Sequence, residues 1–414
     1  MDEQIAGIHG WRRIRSWRPI PSLRPTLARM LAASAMAAIL AACGSTPTPS
    51  ASPTFEPPAS SASPLETPTA ATPTPTSTPS SMPSATPATG WRLLPSQPEL
   101  GPAALLDLVT FNNALYAVGN ATTDAAPGVI WTSTDGETWR SATGALSLEG
   151  IQINAVAAGA SGIVAVGARN DHAVAVVSPD GVSWAVRRMP NGTAWDLQSV
   201  AAGPTGFVAV GNPTGDQLHG AAWWSADGRS WSAITSVEGS KYPNWDAVGA
   251  SATRFVAVGT AGSKRATWIS DDGRRWHRQA SRSDQPFAAR SRVRYANGQF
   301  LIPSGSEVWM SPDGFTWTHQ RIPGEGNDVF DVAAAPGGGL VAVGRSSEGD
   351  QPGEVATSDP TTGAWTQLPQ DPVFDHALIL AILVAPDGTR LVGVGNSETG
   401  ESIFVADLSI LVQP

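Results

Sequence analysis

Asp107, Asn154, Asp196, Asp246 and Asp331 each stand shortly before a run of small apolar residues, so a carboxylate or amide recurs along the chain. Trp195, Trp245 and Phe330 directly precede three of these positions or their neighbours. A ring of such groups could coordinate a hard cation, or hold a sugar through carboxylate bonds and aromatic stacking. Repeated positions usually serve the repeat, so a structural cap on each unit is the first expectation. A second group breaks the repeat. Arg290, Arg292 and Arg294 alternate at period two, which puts them on one face of an extended strand. They could hold an anion or carboxylate, or form salt bridges to neighbouring units. The candidate ligand face is therefore Trp195, Asp196, Trp245, Asp246, Arg290, Arg292 and Asp331. No catalytic set, metal site or cofactor is assigned.

Charge limits the partners. The chain carries 26 Lys and Arg against 35 Asp and Glu, and charged residues make up only 15%. Six arginines and two acids precede Cys43, so that segment is about +4 and the remainder about −13. An acidic body argues against nucleic acid, because phosphate binding needs a basic face. The six histidines are scattered without ligand spacing, and one cysteine permits neither an internal disulfide nor a cysteine-based metal site.

That cysteine has a different context. Residues 12–29 are rich in arginine, and residues 30–42 are an apolar run of signal-peptide length, too short to span a bilayer. The run ends Leu40-Ala41-Ala42-Cys43-Gly44. This resembles the bacterial lipoprotein signal, or lipobox. The resemblance implies removal of 1–42 as a signal peptide, a diacylglyceryl group on Cys43, and anchoring at the outer face of the bacterial cytoplasmic membrane. Residues 43–90 then form a tether of Ser, Thr, Pro and Ala that has little to bury. Extended as polyproline II it would reach roughly 145 Å, at about 3.1 Å per residue.

From Trp91 the chain repeats. Five segments share the pattern Ser-x-Asp-Gly-x-x-Trp: Asp135-Gly136 with Trp139, Asp180-Gly181 with Trp184, Asp227-Gly228 with Trp231, Asp272-Gly273 with Trp276, and Asp313-Gly314 with Trp317. A sixth, Ser358 to Trp365, is one residue longer. The Asp-Gly pairs are 41 to 47 residues apart, a spacing typical of propeller blades. Out of phase runs a second motif, a short apolar strand ending in glycine: YAVG at 116–119, VAVG at 164–167, 208–211, 256–259 and 341–344, and VGVG at 392–395. FLIPS at 300–304 fills the slot in the fifth unit. Each unit reads as four antiparallel strands a to d, with Ala and Val on the inner strand a and an Asp-Gly turn joining c to d. The fold is expected to be an all-β, seven-bladed β-propeller over 91–414, with six or eight blades as alternatives. Residues 90–95 should close it by pairing with 402–410, which removes an open sheet edge. Ligands should meet the face made by the b–c and d–a loops, which include 120–128, 168–172, 212–220, 260–266, 345–354 and 396–401.

The turns resemble the Asp-box of bacterial-neuraminidase (BNR) repeats, in a short variant lacking the residue between Asp and Gly. That resemblance covers nearly all of 91–414 and implies a sialidase-like propeller whose boxes are structural turns. A working sialidase would need three arginines on the substrate carboxylate, a Tyr–Glu nucleophile pair and an Asp acid/base. Arg321-Ile-Pro323 looks like part of the family's Phe-Arg-Ile-Pro element but follows a d strand, and only Tyr242 of the three tyrosines lies in a face loop. The expected function is a non-catalytic module that binds or scaffolds a protein or glycan at the cell envelope. The alternatives are a sialidase-like glycoside hydrolase, using Arg290 or Arg292 with Asp246 or another face carboxylate, and an assembly factor for a membrane complex.

Overall fold

The computed structural model describes residues 90–411 except 98, 124, 194, 215–219, 240–242, 280–291, 325–327, 347–351, 399 and 401. Cys43, the tether, Tyr242 and Arg290 therefore lie outside the described residues. The chain forms seven antiparallel blades, each containing strands a to d in order from the centre outward. Blade 1 comprises Ala103–Phe111, Ala114–Ala121, Gly128–Ser133 and Arg140–Ser141. Blades 2 to 6 span 151–193, 195–233, 243–278, 294–321 and 328–367. Blade 7 takes strands a to c from 377–407 and its outer strand from Trp91–Leu93.

That outer strand closes the ring as expected. Trp91 pairs with Ala406, Arg92 with Val405 and Leu93 with Phe404. Leu94 then donates its N–H to the Ile403 carbonyl at 2.8 Å. One departure from four strands occurs in blade 4. The link from blade 3 runs along its outer edge, and Ser236–Glu238 adds a parallel fifth strand against Arg275–Arg278. The blades pack face to face through buried Val, Ile, Ala and Trp, and each hydrophobic cluster joins residues of neighbouring blades.

Both sequence motifs have a geometric cause. In six blades strand a bulges near its start, for example between Leu105 and Asp107 and between Ile379 and Ala381. At each bulge the glycine ending the VAVG motif lies under an inner-strand carbonyl. A β-carbon there would approach that oxygen to between 1.8 Å (Gly395) and 2.4 Å (Gly211), which no side chain tolerates. The fifth blade has Ser304 in this slot, and its inner strand is only Arg294–Ala296, whose pairing ends before the bulge position.

The Asp-Gly turns are equally regular. Asp135 Oδ1 accepts from the backbone N–H of Glu137 and Thr138, both at 2.8 Å, and Trp139 Nε1 donates to the Gly136 carbonyl at 2.9 Å. The same bonds recur at Asp180, Asp227, Asp272 and Asp313. The sixth turn keeps the Asp359 bonds, but its Trp365 donates instead to Gln320 of the preceding blade.

Candidate functional site

The bulge sorts the recurring polar residues into different registers, so they do not form one repeated ring. Asp107 and Asp331 stand just after it, opposite Val118 and Val343. Asn154 and Asp246 are themselves the bulged residues. Asp196 comes two residues before its own bulge. One inserted residue changes which way a side chain points, so equal-looking sequence positions take unequal places.

In blades 1, 3 and 6 the position after the bulge links neighbouring blades; in blades 2, 4 and 7 it is alanine. Asp107 accepts from the N–H of Val156 in blade 2 at 3.0 Å, and Asp331 from Ile382 in blade 7 at 3.0 Å. Ser199 does the same for Val248 in blade 4, at 3.2 Å. Ser199 was not among the sequence candidates. Its signal was alignment with Asp107 relative to the Ala/Val run, masked by the switch from carboxylate to hydroxyl.

Arg292 and Arg294 of blade 5 reach across to these carboxylates. Arg292 Nη1 donates to Asp107 Oδ1 at 2.6 Å, and its Nη2 to the Leu106 carbonyl. Arg294 Nε and Nη2 clamp Asp331 at 2.8 and 2.7 Å, and Nη2 also reaches Asp107 at 3.0 Å. Both carboxylates are buried, while about a quarter of each guanidinium side chain stays exposed. Burial alone would raise the Asp107 carboxyl; Arg292, Arg294 and the two backbone donors outweigh it and hold it below the usual range. Arg294, despite its own burial, is held firmly protonated by Asp331 and Asp107.

Toward blades 2 to 4 the rim is carboxylate and amide. Asn154 Nδ2 donates to Asp196 Oδ1 and to the Leu197 carbonyl, both at 2.8 Å, and Gln198 donates to Asp196 Oδ2 at 2.7 Å. Burial pushes the half-buried Asp196 up to about 6, partly offset by these donors and reinforced by Asp171. Burial likewise pushes Asp246 up to about 6, offset by the Asn212 side chain.

Two expectations need correction. Trp195 and Trp245 do not offer rings to a ligand. Trp195 is 8% exposed and meets Trp223 edge-on at 6.4 Å. Trp245 is 1% exposed between Trp268 and Trp276, at 4.8 and 5.1 Å. Strand alternation turns both into the interblade core. Nor do Arg292 and Asp331 form an open face, because they are bonded within the channel network. The more open feature is a groove of about 410 Å³ between the b–c loop of blade 1 and the link to blade 2. Thr123, Pro127, Leu146, Leu148 and Glu149 line it, beside Ala126, which is held at φ +40°.

Solved structures of diverse propellers are similar to this chain. One, described as YCF48 bound to D1 peptide, is 17% identical with a TM-score of 0.53, covering 78% of this chain and 96% of that one. A catalytically inactive virginiamycin B lyase from Staphylococcus aureus with quinupristin is 11% identical with a TM-score of 0.54, covering 77% and 98%. A third, U3-55K, is 12% identical with a TM-score of 0.52, covering 77% and 99%. At these identities the likeness shows the fold alone. No curated protein matches the sequence. The DUF6242 beta propeller domain matches residues 74–310, more than half of the chain, and the protein belongs to that family.

Proposed function

We propose that the protein is an exported, lipid-anchored binding module that recognises a protein or glycan at the cell envelope through its b–c and d–a loops. The observation that carries this reading is the groove lined by Thr123, Ala125, Pro127, Leu146, Ser147 and Glu149, where apolar, hydroxyl and carboxylate groups lie together at the surface. The charges that converge on the channel spend their bonds on one another, which leaves recognition to the loops. One of the similar structures holds a peptide, in keeping with a peptide as one ligand class for these loops. Anchoring rests on the Leu40–Gly44 segment. Replacing Cys43 by Ser should move the protein out of the membrane fraction; unchanged fractionation would reject the anchor.

A photo-crosslinker at Ser147, beside the groove, should trap a partner in native membranes. The same group at Val182, an exposed Asp-Gly turn position, should not. Equal labelling from both sites would reject loop-face recognition.

A glycoside hydrolase of sialidase type is the second reading. It is favoured by arginines and carboxylates meeting from blades 1, 5 and 6, and by two carboxyls pushed up to about 6 on blades 3 and 4. Loss of terminal sugar from a glycan array exposed to the protein would establish it; retention of protein without sugar loss would support the binding module.

A further inference from the structure

We propose that Arg292, Arg294, Asp107 and Asp331 form a latch across the central channel that couples blade 5 to blade 1, two blades that are not neighbours in the ring. Blade 5 needs such a device. Its inner strand, Arg294–Ala296, is three residues long, against seven to nine in every other blade. By register with the b strand, Arg292 stands where Asp107, Ser199 and Asp331 stand in blades 1, 3 and 6. Those three side chains accept an amide N–H from the next blade. Blades 2, 4 and 7 carry Ala155, Ala247 and Ala381 at this place and make no such side-chain link, whereas the arginine of blade 5, which cannot accept, sends its long side chain across the channel.

The network is wide for four side chains. Asp331 accepts from Ile382 in blade 7, and Asp107 from Val156 in blade 2, while both bind the arginines of blade 5. Blades 5, 6, 7, 1 and 2 therefore share one set of bonds. The pairing is also obligatory. A buried carboxylate that loses a guanidinium keeps its desolvation with less compensation: without Arg292, Asp107 retains only the longer contact from Arg294, so removing either partner must disturb the other blade. The ring thus has two closures, the outer strand at Trp91–Leu93 and this inner ionic one.

The test is hydrogen exchange on the full chain, read blade by blade. Arg292→Gln alters a side chain that is partly exposed and spares the hydrophobic core. It should speed exchange about tenfold or more in the inner strand of blade 1 and at Val156 in blade 2, across the channel from the change. Asp107→Asn should do the same in 299–304 of blade 5. Exchange changes confined to the substituted blade and its ring neighbours would overturn the latch. Should Asp107→Asn fold poorly, Arg292→Gln alone decides the matter through exchange in blade 1 and at Val156; where it folds, the double variant adds a second criterion. The latch requires the double variant to be little worse than Asp107→Asn alone, and additive effects would overturn it. Arg321→Gln, on the outer strand of blade 5, is the control and should leave blade 1 unchanged.

Discussion

A β-carbon built on Gly136 in blade 1 would lie 2.7 Å from Cγ2 of Val392 in blade 7. The two repeated motifs of the sequence are thus the two halves of one interblade joint. Gly228 meets Val164 in the same way, and Gly314 meets Val256. The joint is fastened by a hydrogen bond from Arg390 Nη1 to the Asp135 carbonyl at 3.0 Å. Gly136 also sits at φ +77°, where a side chain is strained. Gly136→Ala should therefore destabilise by about 2–4 kcal/mol, strain and overpacking together. Adding Val392→Ala should recover part of that loss, since it removes the methyl in the way. Denaturant unfolding of both variants measures this, and strictly additive losses would mean the contact is not the cause.

Much of the fold was legible because its signals are local. An Asp-Gly turn three residues before a tryptophan contains nearly all its own bonds, so its spacing reports the blade directly. The ring closure was legible too, because 90–95 supplies the outer strand that the last repeat lacks. The candidate site was less legible. Whether Asp107 or Asp246 points into the channel depends on a bulge, and the sequence shows only that a polar residue stands nearby. Trp195 and Trp245 read as neighbours of those acids, but alternation sends them into the core. The partner of Arg292 lies 185 residues away, beyond any periodic signal. The stripe of arginines was visible, and its salt-bridge reading rather than its free-anion reading matches the contacts of Arg292 and Arg294.

Asp246 should make the protein less stable as pH rises. Its folded value of about 6 lies above the ordinary 3.8, so between these values the folded state holds a proton the unfolded state has lost. Stability from this group is largest below pH 4 and declines as pH rises through 6. Asp246→Asn keeps an acceptor for the Asn212 side chain and removes the ionisation. At pH 7.5 it should raise stability on the order of 1 kcal/mol after allowance for partial exposure, or about 2–4 °C in midpoint. At pH 4.5 the gain should nearly vanish. A gain equal at both pH values would place its origin outside the titration of Asp246.

The Asp-Gly turns predict the opposite slope on the acid side. Slight burial would raise the Asp135 carboxyl, but backbone donors at Thr138 and Glu137 and the Ser133 hydroxyl hold it down to about 2. Asp227, Asp272 and Asp313 are lowered for the same reasons. A lowered folded value contributes stability that is complete above the ordinary 3.8 and lost as pH falls through the folded value. Tryptophan fluorescence should therefore show a folded ring at pH 4 and loss of structure toward pH 2. Asp313→Asn should lower the thermal midpoint at pH 7, where Phe315 and Thr316 lose a charged acceptor, and the deficit should shrink by pH 2.5. A deficit that does not change with pH would trace to turn geometry alone.

Trp91 should be worth more than any other residue of the closing strand. Its ring is fully buried between blades 6 and 7, with Phe374 edge-on at 5.8 Å and Val341, Val355 and Phe404 in the same cluster. Trp91→Ala should cost about 3–5 kcal/mol, because the cavity opens where two blades meet and no neighbouring strand can move in to fill it. Its buried Nε1 has no partner among the described residues, so an apolar ring loses no hydrogen bond there. Trp91→Phe should for that reason cost much less than the alanine variant. Weakening the strand also uncovers the edge of Ile403–Asp407, which then offers unpaired backbone groups to a second copy. Size-exclusion chromatography of Trp91→Ala should show concentration-dependent association that the wild type and Trp91→Phe lack. If Trp91→Ala unfolds within about 1 kcal/mol of wild type and stays monomeric, the ring does not depend on this strand for closure.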